Sequence, residues 1–120
     1  MPENPSQGDQ PVPPIVGEIA DLARRLREAE HLEPELRARA ADLLGGLAAE
    51  LDRAERSAHK ERLATTAAQL VRAVKDQHEP GLIEAARERV EQAVAAAEAK
   101  APVATDLVLR LIDALAGMGI

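Results

Sequence analysis

The sequence predicts an all-α protein: a small bundle of four to five amphipathic helices, arranged as coiled-coil-like antiparallel hairpins. Three observations carry this. Apolar residues recur at three- and four-residue steps through most of residues 15–120. No stretch alternates apolar and polar residues as a half-buried strand would, and no hairpin turn signal appears. The 120 residues also contain no Phe, Tyr, Trp or Cys. A core built from Leu, Val, Ile and Ala alone lacks the large rings that supply most buried area elsewhere, and it suits thin helices packed at close range.

Residues 1–14, MPENPSQGDQPVPP, hold five of the eight prolines and almost no large apolar group. Such a segment cannot bury enough surface to offset its ordering entropy, so it reads as a disordered arm. Residues 15–120 form the helical domain. The first helix carries Ile15, Ile19, Leu22, Leu26 and Ala29, stepping four, three, four, three. Pro13 and Pro14 suit its start. Glu33-Pro34 interrupts, because the residue before a proline avoids the helical region. The second helix starts near Pro34, with a seam of Leu36, Ala40, Leu43, Leu47 and Leu51 that Leu44 broadens. Gly45 and Gly46 fall inside it, where each glycine costs about 1 kcal/mol relative to alanine. Either the helix bends there or another backbone packs against them, and an unbroken helix is favoured.

The third seam is Leu63, Ala67, Leu70 and Val74. Leu47 and Leu63 are separated by roughly 160° around one straight helix, so a break or change of face falls between Glu55 and Arg62. Ser57 is a candidate N-cap. DQHEPG, residues 76–81, reads as a loop punctuated by Pro80-Gly81. The fourth helix carries Ile83, Ala86, Val90, Ala93 and Ala97, and the small residues of its second half allow a neighbour to come close. Ala101-Pro102 ends it. The last helix carries Ala104, Val108, Leu111, Leu115 and Met118, flanked by Leu107 and Ile112, with Gly117 and Gly119 where a C-terminal cap is expected.

Composition narrows the function classes. Net charge is −6, from 15 basic and 21 acidic residues, which argues against general binding to nucleic acid or anionic membranes. The missing rings remove base-stacking platforms. The missing cysteines remove thiolate catalysis and cysteine metal sites. His31, His59 and His78 lie near helix ends, and none has a second histidine at ligand spacing. Glu28 with His31 is a single Glu-x-x-His pair, where a di-metal bundle needs paired helices. Glu84, Glu88 and Glu91 alternate with Arg87 and Arg89, as on a solvated, ion-paired face. The cluster of Arg24, Arg25 and Arg27, followed by Arg37 and Arg39, lies among glutamates and reads the same way. No run approaches about 18 apolar residues and no secretory signal pattern opens the chain, so a cytoplasmic protein is expected.

The stretch AVAAAEAKAPVATDLVLRLIDALAGMGI, residues 93–120, resembles the end of the DUF4404 family of bacterial domains of unknown function. Glu98, Pro102, Met118, Gly119 and Ile120 match its pattern, while Ala97 and Ala101 stand where the family has Phe and His. HLEPELRARAADLLGGLAAEL, residues 31–51, looks like its first long helix, and residues 58–79 look like extra length. The resemblance implies a small intracellular bacterial protein and assigns no activity. The family-motif and packing candidates are therefore Glu98, Pro102, Leu111, Leu115, Met118, Gly119 and Ile120. The expected function is a non-enzymatic protein–protein interaction or oligomerisation module, partnered by itself or by another protein. A metal-binding protein or enzyme using carboxylates and histidines is the alternative, and nucleic-acid binding through the arginine cluster a weaker one. No cofactor, membrane or small-molecule partner is inferred. The apolar terminus is expected to pack onto the bundle.

Overall fold

The computed structural model of the chain describes residues 14–53, 57–76 and 79–117. Five helices follow one another and no strand occurs among these residues: α1 (Pro14–Arg27), α2 (Pro34–Arg53), α3 (Ala58–Lys75), α4 (Pro80–Ala97) and α5 (Pro102–Ala116). The proposed disordered arm falls almost wholly outside the described residues, as do Met118, Gly119 and Ile120.

Proline sets the starts. α1, α2, α4 and α5 each open on one, where its missing N–H costs nothing and its fixed φ is already helical. Pro80-Gly81 thus lies inside α4 and the DQHEPG loop is shorter than the sequence suggests. α2 adds a side-chain cap, since the Leu36 N–H donates to Glu33 Oε1 at 2.9 Å, and α3 starts on a serine cap instead of a proline. Ser57 is extended, at φ −152° and ψ 158°, and its Oγ accepts from the Lys60 N–H at 3.2 Å. The chain is therefore out of the helix at Ser57, within the stretch between Glu55 and Arg62 where the leucine phase calls for a break.

α1 and α2 form one hairpin and α3 and α4 another. α5 runs antiparallel along α2. Two glycine contacts show its register: a Cβ on Gly46 would lie 3.5 Å from Leu107, and one on Gly117 would lie 2.9 Å from Leu36. α3 touches all four other helices. Leu63, Ala64, Thr66, Ala67, Ala68, Leu70, Val71, Ala73 and Val74 are all buried on it. The stretch read as extra length is thus the centre of the core, and its alanines let neighbours approach on several sides.

The buried faces contain most of each sequence seam and extend beyond it, although Ile15, Ala29 and Ile83 are only half-buried, Ala29 lies past the end of α1, and Met118 is outside the described residues. α1 adds Val16 and Ala23 to Ile19, Leu22 and Leu26. On α2 the face is rotated: Ala40, Ala41, Leu44, Leu47, Ala48 and Leu51 are buried, while Leu36 and Leu43 are half-buried. Half of the alanines in residues 93–101 do not face a neighbour, because Ala95 and Ala96 of α4 and Ala99 just beyond it are exposed. Gly45 and Gly46 lie within the unbroken α2, and a leucine side chain, not a backbone, meets Gly46. Gly117 caps α5 at φ −65° and ψ −17°, still right-handed, with its N–H donating to Asp113 O. The expected turn back through Gly119 lies outside the described residues.

Candidate functional site

The sequence-derived candidates do not form one site. Glu98 is the exposed C-cap of α4 and Pro102 the exposed first residue of α5. Leu111 and Leu115 are fully buried core residues further along α5. Pro102 and Leu115 are about 20 Å apart along the helix axis. Ala97 and Ala101, where the family resemblance expects Phe and His, are both buried at the α4–α5 turn. Met118, Gly119 and Ile120 lie outside the described residues.

The arginine cluster is internally paired. Arg24 and Arg25 both bind Asp21, and Arg27 reaches Asp42 at 2.7 Å. Arg37 Nη1 donates to the Ala29 carbonyl at 2.8 Å, joining the α1–α2 loop to α2. The α4 charges do the same, with Arg87 Nε 3.2 Å from Glu91. These are solvated ion pairs of small individual worth. Glu28 and His31 are exposed, and His31 Nε2 lies 2.7 Å from the Lys75 carbonyl at the end of α3. That histidine ties two hairpins together, a role visible only in three dimensions. Among the described residues no group of three His, Cys, Asp or Glu side chains is placed to hold a metal ion.

Two clefts remain. The first lies between α3 and α4 and encloses about 280 Å³. Gln69, Arg72 and Ala73 line it from α3; Leu82, Ala86 and Arg89 line it from α4. Leu82 is 54% exposed, the most exposed of the large apolar side chains. It lies in the first turn of α4, which Pro80 starts. The Leu82 N–H donates to Glu79 O at 2.9 Å, fixing that turn. Arg72 pairs with Glu18 of α1. Arg89 makes no ion pair among the described residues. The result is a short apolar floor with a guanidinium group on each side. The sequence signal for it is weak: Leu82 lies off the Ile83 seam and can be read only as a flanking residue.

The second cleft, of about 290 Å³, lies between α2 and α5 and is lined by Arg39, Leu43, Arg110 and Asp113. Arg110 Nε is held 3.0 Å from Asp106 on its own helix.

The fold and these shallow clefts define a class: a small all-helical bundle with grooves between its helices. Residues 42–120 match the family model described as Domain of unknown function (DUF4404). That is well over half of the chain, and the chain belongs to this family. The matched range runs through residues 58–79 and begins within α2, leaving α1 outside. No curated protein and no solved structure matches the chain. No helix among the described residues is long and apolar enough to cross a membrane.

Proposed function

We infer that this chain is a non-enzymatic helical interaction module whose α3–α4 groove receives an acidic amphipathic helix from a partner protein. The observation that carries the reading is Leu82, left half-exposed beside Ala73 and Ala86 and flanked by Arg72 and Arg89. An amphipathic helix docks by laying apolar anchors in such a groove. The flanking arginines select acidic neighbours of those anchors, in a chain whose overall charge of −6 repels acidic partners elsewhere. The resemblance of the C-terminal half supports a bacterial, cytoplasmic setting.

A designed helical peptide with a leucine stripe flanked by glutamates tests this. It is expected to bind the full chain saturably, and L82E and R89E are expected to weaken it. A peptide with lysines in place of the glutamates is expected to bind poorly. Absence of saturable binding, or binding indifferent to L82E, refutes the reading. Sedimentation of the free chain distinguishes the other occupant. Self-association abolished by L82E would assign the groove to a second copy of this chain and overturn the hetero-partner. Detection must not rely on absorbance at 280 nm, since the chain has no aromatic residue.

A further inference from the structure

We propose that the α2–α5 cleft is a binding site for a small zwitterion with a short aliphatic body, the chemistry of an aliphatic α-amino acid. The register of the two helices places its four residues. Leu36 lies beside Gly117 and Gly46 beside Leu107, so Leu43 stands level with Arg110, and Arg39 level with Asp113. Arg39 and Asp113 therefore face one another across the groove, yet neither makes an ion pair among the described residues. Two opposite charges on facing helices that do not close leave a gap with an acidic wall and a basic wall.

The remaining lining residues define what fits the gap. Arg110 is anchored by its Nε to Asp106, which leaves its terminal nitrogens to share an anion with Arg39. Guanidinium groups match a carboxylate in shape as well as charge. Asp113 repels a second negative charge and attracts an ammonium group. Leu43, half-buried between them, offers an apolar wall to an aliphatic chain. The cleft's 290 Å³ is at the small end of ligand cavities, which begin near about 300 Å³. A ligand with only a carboxylate leaves Asp113 unanswered, and one with only an amine leaves both arginines unanswered.

The test is a titration of the full chain followed by amide and methyl NMR shifts, using three probes of one skeleton: leucine, 4-methylpentanoate and isopentylamine. Leucine is expected to give saturable shifts at Arg39, Leu43, Arg110 and Asp113. Each one-charge probe is expected to bind about fivefold more weakly, as suits loss of one exposed ion pair. D113N is expected to erase the preference for leucine over 4-methylpentanoate, and R39Q to reduce that over isopentylamine. Both changes are at exposed positions, and the three-probe comparison on the unaltered chain is decisive without them. No saturable shift with leucine, or 4-methylpentanoate binding as tightly as leucine, overturns the proposal. Shifts unchanged by both substitutions also overturn it.

Discussion

Replacing Gly45 and Gly46 together with alanine is expected to stabilise the protein by about 2 kcal/mol. Both residues lie in the interior of α2, where glycine is the most costly residue other than proline. At Gly45 an added Cβ meets no atom within 4 Å, so the gain there is helix propensity alone, about 1 kcal/mol. At Gly46 the new methyl would lie 3.5 and 3.8 Å from the two Leu107 methyls. Those are ordinary contact distances, so propensity is joined by a few tenths of a kcal/mol from apolar burial. For a chain of this length the sum raises the melting temperature by about 8 °C. Far-UV circular dichroism measures this directly. Gly117 serves as the contrast: a Cβ there falls 2.9 Å from Leu36, so Leu36 must move and little gain is expected. A loss of stability in the Gly46 variant would refute the reasoning. It would mean that α5 lies closer to α2 than the Leu107 contact allows.

Two further substitutions probe polar groups. Ser57→Ala removes the only side-chain cap of α3 described, and is expected to cost about 1 kcal/mol; a denaturant midpoint unmoved within error would mean the cap is redundant. Thr105 is 3% exposed and its hydroxyl has no hydrogen-bond partner, so Thr105→Val is expected to be neutral or to stabilise by up to about 1 kcal/mol. Clear destabilisation in the same unfolding assay would show that the hydroxyl is satisfied, most simply by the carbonyl one turn earlier.

Helix existence and placement were legible because three signals agree. Pro14 and Pro34 mark two helix starts, period-3.6 seams mark each interior, and the phase conflict between Leu47 and Leu63 calls for the α2–α3 break, while Pro80, read as loop, in fact opens α4. The face widths were less legible. A seam of large aliphatics shows where a face is centred, but alanine is at home both in a core and on a surface. Sequence therefore could not tell the buried Ala64 and Ala68 of α3 from the exposed Ala95 and Ala96 of α4, and so missed that α3 is the central helix. The clefts were illegible for another reason. Arg39 with Asp113, and Arg72 with Arg89, are brought together only by helix pairing, and each looks on its own helix like one more solvated charge. His31 is the same case, since its partner is a backbone carbonyl forty-four residues away.

The boundary of the family match separates the two clefts. The match begins at residue 42, about two helical turns into α2. Yet α1 places Ile19 and Leu26 fully inside the core and packs on both α2 and α3. The folding unit is therefore larger than the matched unit, and α1 cannot be a detachable addition. Function need not follow the same boundary. Every residue lining the α3–α4 groove lies within residues 42–120, so helix docking there is a role that other members with the same helices can share. The α2–α5 cleft straddles the boundary, because Leu43, Arg110 and Asp113 fall inside the match and Arg39 falls outside it. Without Arg39 its carboxylate-binding wall is reduced to an arginine already tied to Asp106. Zwitterion binding is thus expected of this chain and of relatives that carry a basic residue at that position on α2, while groove docking does not depend on it.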